Sequence, residues 1–452
     1  MTTFAHAGTG SSSSGALPEA RLSRLLAAYV ITGLLFMLLP GTFLGVWNLI
    51  SISNEHSLSS LSAAWIQAHG HAQIFGWIGT FIIGIGYYSL SKMGAIPPFA
   101  LRRGWISWGV WSFGVSLRWA ANVSLWHWRI LLPLSAFAEL AAFLVFYMTV
   151  SRHRTEGARR RIPAWMLLVI GSTTGFLILL LFNAATCLWL AVTATAPEFP
   201  HGLDQRFLVL ATWGVPVLAV WGFNARWLPA FIGLKPASER GLRVALVVCG
   251  AGVISALLGY FPLAAALLTI ASANAAIWLN VFDSPENPPK LQGVHRSFPA
   301  FVRLCYVWLV VAALLSMWAA IADRNGGIWG ASRHALTVGF LASMIFAIGP
   351  RVLPAFCGGR KVFSPSLMLA ACSLLNFGCL LRVSAEIPAY EGMLQGVWHI
   401  LPCSAIVELI AVSLFALNLA LTLAHAATPL NDNNLYKISL ATPGELPGQA
   451  RG

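Results

Sequence analysis

The run from His71 to Leu90 recurs from His334 to Leu353, and this repetition limits what the chain can fold into more than any other feature. His71-Ala72, Gly76-Trp77, Ile85-Gly86 and Leu90 align with His334-Ala335, Gly339-Phe340, Ile348-Gly349 and Leu353. The offset, 334 − 71 = 263, holds without a gap. A weaker third copy lies between them: Arg226-x-Leu228-Pro229-Ala230-Phe231-x-Gly233 matches Arg351-x-Leu353-Pro354-Ala355-Phe356-x-Gly358 at offset 125. That register pairs Gly214 with Gly339 and puts Val209 where the histidine would stand.

Two further pairs extend the repeat. Phe113-Gly114-x-x-Leu117-Arg118 matches Phe377-Gly378-x-x-Leu381-Arg382 at offset 264, and Leu132-Pro133-x-Ser135-Ala136-x-x-Glu139 matches Leu401-Pro402-x-Ser404-Ala405-x-x-Glu408 at offset 269. Offsets that drift by a few residues are what duplication followed by small loop insertions leaves.

Composition says what the repeated unit is made of. The 452 residues are 58% hydrophobic and 10% charged, which marks a polytopic membrane protein. About twelve stretches reach the ~20 apolar residues that span a bilayer. They lie near 25–48, 63–92, 103–122, 128–150, 164–194, 206–231, 241–259, 262–282, 299–322, 330–356, 366–385 and 397–424. The expected fold is all-α: twelve transmembrane helices in three pseudo-symmetric four-helix repeats, near 22–153, 160–285 and 296–426. An even number of helices separates the copies, so the repeats run parallel about an axis along the membrane normal. Residues 1–21, with Ser11 to Ser14 in a row, and 427–452 read as disordered tails.

A net charge of +13 invites a nucleic-acid reading, but its distribution opposes one. The cations gather in alternate loops, at Lys92, Arg102 and Arg103, at Arg152 to Arg161, at Lys235 to Arg243, at Lys290 and Arg296, and at Arg360 and Lys361. Glu55, Glu198, Asp204, Asp323, Glu386 and Glu391 occupy the others. The positive-inside rule then puts both termini in the cytoplasm. The seven cysteines contain no CxxC pair, so they read as small buried hydrophobes.

The topology puts His69, His71, His127, His334 and His399 at one depth in the outer third of their helices. An ionisable side chain within lipid is a functional candidate by default, although His127 and His399, beside Trp126 and Trp398, fit an interfacial role equally well. Imidazole is the usual axial ligand of haem iron, and the repeat singles out His71 and His334 as a pair able to sandwich one. His69 lies about 200° around the helix from His71. It therefore serves a different site: a second haem, a copper, or a hydrogen bond, with His127 and His399 the other candidates for a second haem or copper. Arg118 and Arg382 sit at matching positions where a guanidinium could meet a haem propionate. Glu139 and Glu408 are acidic residues well inside the membrane, suited to a structural or proton-handling role.

Ala68-His69-Gly70-His71-Ala72-Gln73-Ile74-Phe75-Gly76 and Arg333-His334-Ala335-Leu336-Thr337-Val338-Gly339 resemble motifs of the NnrS family and, through it, of subunit I of the haem–copper oxidases. The resemblance implies a multi-pass protein of the bacterial inner membrane that contains haem, of the b type, and copper. It also implies a role in defence against nitric oxide, with NO or a similar small gas as ligand. In oxidase subunit I, histidines of the second and tenth helices bind the low-spin haem, and His71 or His69, with His334, match those helices. The chain departs from the pattern in three places. Ala72 replaces the acidic residue after the second histidine, Ala355-Phe356-Cys357-Gly358-Gly359-Arg360 lacks the histidine expected after the tenth span, and spans six and seven hold no histidine. An oxidase or NO reductase subunit and a secondary transporter with histidines along its path are the rival classes.

Overall fold

The computed structural model describes residues 19–92, 99–152, 162–357 and 360–425. Nearly all of them are helical. Eleven helices are long and apolar enough to cross a membrane: α1 (Ala20–Glu55), α2 (Ala63–Lys92), α4 (Trp128–Val150), α5 (Ala164–Thr193), α6 (His201–Ile232), α7 (Glu239–Leu257), α8 (Phe261–Trp278), α9 (Phe298–Ala322), α10 (Gly327–Phe356), α11 (Pro365–Tyr390) and α12 (Gln395–Ala424). The twelfth, α3 (Leu101–Ser124), carries Arg102, Arg103 and Arg118 and is less apolar, yet its 24 residues match the others in length. The expected division of the stretch after residue 239 into two spans holds, with the break at Leu258 to Tyr260. The expected tails lie largely outside the described residues; the helix opens at Glu19, inside the segment read as a tail.

Polar side chains fix where the helices start. Ser62 Oγ accepts from the Ala64 amide to open α2, and Ser364 and Ser238 do the same for α11 and α7. Asp323 opens α10 with both carboxylate oxygens, which accept from the Gly326 and Trp329 amides at 2.6 Å. The face at which α2, α10 and the other even-numbered helices begin is called the upper face below.

The repeat is visible in the backbone. The second helix of each four-helix unit is interrupted by a π-helical stretch: Ala72–Gly79 in α2, Trp213–Val217 in α6 and Ala335–Ala342 in α10. In α2 and α10 the π-helical turn begins at the residue after the repeated histidine, at the same offset of 335 − 72 = 263. Such turns are rare and favour functional sites, because they rotate the following side chains against the helix before them. A further one, Met37–Phe43 with Pro40 inside it, bends α1 beside α2.

Matched glycines also acquire a reason. A Cβ on Gly114 would stand 2.9 Å from Glu139 Cγ, and one on Gly378 would stand 2.7 Å from Glu408 Cγ. The repeated glycine of the third helix thus makes room for the repeated glutamate of the fourth.

The apolar interior falls into two clusters. The larger runs through all three units, and a smaller one joins Val46, Leu49 and Ile52 of α1 to Ala385, Ala389 and Tyr390 of α11 and to Trp398, Leu401 and Ala405 of α12.

A candidate haem site between the second and tenth helices

His69 and His71 point to opposite sides of α2, as their spacing requires. His71 is enclosed in the first unit. Its side chain is 4% exposed, its ring stacks on Phe75 at 4.3 Å, and Nε2 lies 3.1 Å from Glu139 Oε1. Glu139 Oε2 also accepts from Asn183 Nδ2 at 3.2 Å. Arg118 joins this cell from α3, with Nη1 3.4 Å from Asn183 Oδ1 and 2.7 Å from Cys187 Sγ. Four helices, α2 to α5, are tied together by one buried polar group, and the ring of His71 faces side chains that already occupy its surroundings.

His69 faces the other way. It is half-buried, and its Nδ1 lies 2.9 Å from the Gly41 carbonyl of the π-helical turn in α1. Its ring fits against α1 because position 45 is glycine, where a Cβ would stand 2.5 Å from His69 Cε1. On this side His69 is within electrostatic reach of His334 and Arg382. The structure therefore brings His69, rather than His71, towards His334, while the outer parts of α2 and α10 do not pack closely on one another.

His334 keeps a partly open ring, its side chain 27% exposed. Nδ1 lies 3.0 Å from the Gly330 carbonyl and 3.1 Å from Glu386 Oε2 of α11. Glu386, 3% exposed, is held in turn by Arg382, with Nη2 at 3.1 Å from Oε1 and Nε at 3.1 Å from Oε2.

The acceptors settle the chemistry of both rings. A carbonyl only accepts, so Nδ1 carries the proton in His69 and in His334. The lone pair of a neutral ring then sits on Nε2, which has no protein partner among the described residues. An imidazole whose other nitrogen donates to a carbonyl or carboxylate is how metal-binding histidines are ordinarily oriented. A neutral imidazole with its lone pair on Nε2 is the donor type that haem iron takes. Further buried donors lack acceptors beside the pair: Arg382 Nη1 and Arg333 Nη2 have no hydrogen-bond partner, and both guanidiniums are suited to propionate carboxylates. The copper expectation finds less to rest on. Among the described residues no group of three or more His, Cys, Asp or Glu side chains could hold a metal ion.

The remaining sequence candidates lie elsewhere. His127 and His399 are exposed at the starts of α4 and α12, His127 with a left-handed backbone (φ 42°). Arg118 belongs to the His71 cell, so the repeated arginines serve different partners. Sequence reasoning missed Glu386, because the eleventh span was ended one residue short of it. The signal was there: Arg382 and Glu386 are spaced i, i+4, a helical ion-pair spacing.

Gly330 is the other residue whose role appears only in three dimensions. A Cβ there would collide with the Glu386 carboxylate. Gly330→Ala is expected to push Glu386 off His334 and Arg382 and to weaken cofactor retention about tenfold. Titration of the purified apoprotein with haem measures this.

Helix count, connectivity and internal repetition define the class: a multi-pass helical membrane protein with the fold of haem–copper oxidase subunit I. The solved structure of a haem–copper terminal oxidase dimer, determined by cryo-electron microscopy, is similar to it with a TM-score of 0.72 at 12% identity, over 90% of this chain and 84% of the other. At that identity the likeness concerns the fold. The chain belongs to the family described as a domain of unknown function, DUF8744, whose profile matches residues 28–424. Comparison with curated proteins finds no match.

Proposed function

We propose that this protein binds one haem b in the membrane between α2 and α10, with His69 and His334 as the axial ligands, and that the haem binds nitric oxide or a similar small gas. The observation that carries the reading is the matched state of the two rings: each gives its Nδ1 proton to a carbonyl, leaves Nε2 without a protein partner among the described residues, and lies within electrostatic reach of the other. The haem would supply a redox-active iron able to bind diatomic gases. The protein's part would be to fix the two imidazoles and to offer Arg333 and Arg382 to the propionates.

The nitric oxide assignment rests on the resemblance of the two histidine motifs to the NnrS family. An oxidase-type reaction would need a second metal beside the haem. Where the second unit meets the third, Trp221 of α6, Tyr306 of α9 and Phe340 of α10 are fully buried, and Asn224 Nδ2 of α6 donates to Tyr306 Oη at 3.0 Å. This packing weighs against a copper centre there and in favour of a gas-binding haem protein.

The test is a haem assay of the membrane-extracted protein with iron and copper analysis, followed by spectra with and without NO. One haem iron per chain, little copper and a spectrum that responds to NO support the proposal. Stoichiometric copper with dioxygen consumption would favour the oxidase-type reading instead.

A further inference from the structure

The two rings of the pair are held unequally. His334 is fixed from two sides, by the Gly330 carbonyl at 3.0 Å and by the Glu386 carboxylate at 3.1 Å. That carboxylate is buried, and Arg382 anchors it through both of its oxygens. The backbone under His334 is tied as well, since Cys379 Sγ donates to the His334 carbonyl at 3.7 Å. His69 has one support, the Gly41 carbonyl at 2.9 Å. That carbonyl also accepts from the Leu44 amide, so it is shared.

The contact between His334 Nδ1 and Glu386 Oε2 is an electrostatic one at 3.1 Å, because the single Nδ1 proton already goes to the Gly330 carbonyl. A carboxylate behind an imidazole raises its basicity as a ligand. His334 is therefore the stronger donor and the better-anchored ring, and His69 the weaker on both counts. From this asymmetry we infer that His334 is the permanent haem ligand and that His69 is the ligand a diatomic gas displaces, with Glu386 as the positioning residue that sets the difference.

The inference rests on the haem reading above and deepens it. Were a gas to take the place of His69, its Nε2 would be freed, and no electron or proton transfer would be needed. The consequence is a sensor-like logic. His69 and His334 would together hold the group in the resting protein, and gas binding would free His69 on α2, whose π-helical turn begins three residues later. On the other face of that helix His71 ties α2 to α4 through Glu139, so movement of His69 is confined to the side of α1.

Carbon monoxide added to the reduced protein provides the test, read as haem content and absorption spectrum. The wild-type spectrum should shift with CO. His69→Ala should keep most of its haem and bind CO at least about tenfold more tightly, because no protein ligand competes. His334→Gly should lose its haem and regain it when imidazole is supplied, which separates ligand loss from misfolding. If that variant does not fold, Glu386→Gln carries the test, with retention expected to fall about tenfold. Equal haem loss in the His69 and His334 variants, a wild-type spectrum indifferent to CO, or unchanged retention in Glu386→Gln would each overturn the assignment while leaving the haem between α2 and α10. Absence of haem from the wild-type protein would overturn both.

Discussion

Replacing His334 with alanine is expected to weaken haem binding by about a hundredfold or more, whereas the same change at its repeat partner His71 leaves haem content unchanged. Loss of an orienting partner alone costs a metal site 10- to 100-fold, and loss of the ligand costs at least as much. His71 presents its Nε2 to Glu139 and stands inside a filled cell, so its removal touches the fold and spares the cofactor. That structural cost is still large. His71→Ala strips buried Glu139 of a hydrogen-bond partner, a change of about 1–3 kcal/mol. Thermal unfolding in detergent, followed together with haem content, separates the two effects. Normal haem with reduced stability is expected for His71→Ala, and the reverse pattern would reassign the ligand.

The second large effect is expected at Gly175 in α5. A Cβ there would run into the Gly214 carbonyl at the start of the π-helical turn of α6. A backbone atom cannot move aside as a side chain end can, so α5 and α6 would have to separate along their crossing. Close approach through small residues is the ordinary means of packing helices in a membrane, where burial of apolar surface supplies little drive. Gly175→Val is expected to destabilise the protein by roughly 3 kcal/mol or more and to lower the folded yield sharply. Detergent-solubilised yield and size-exclusion profile measure it. Gly109, with open space around its Cβ, is the control glycine and should tolerate alanine.

The architecture was legible before the structure because a membrane makes it so. Hydropathy marks the spans. Twelve spans placed from apolar runs correspond to α1 to α12, and even the short break before Phe261 falls where it was expected. The repeat was legible for the same reason, since Gly114 with Glu139 and Gly378 with Glu408 are packing pairs that recur with the fold.

The site was read less far. The repeat drew attention to His71 and His334 as equivalents, and by sequence they are. In space they differ, because the Glu139 of the first unit lies against its histidine while the third unit recruits Glu386 from α11. Periodicity put His69 on the opposite side of α2, which is correct. Nothing in a linear pattern says that this side is the one facing α10, since that depends on how the three units close around their axis. The π-helical turns add to the difficulty: they shift the register of every side chain after the histidine, and no simple period announces them.

The most direct measurement of the central claim is the dithionite-reduced-minus-oxidised absorption spectrum of the purified wild-type protein beside His69→Ala and His71→Ala. A b-type haem signal in the wild type and His71→Ala, altered in His69→Ala to that of a haem with one protein ligand, is the predicted result. A haem signal that His71→Ala changes and His69→Ala leaves intact would contradict the account, as would a protein that carries no haem at all.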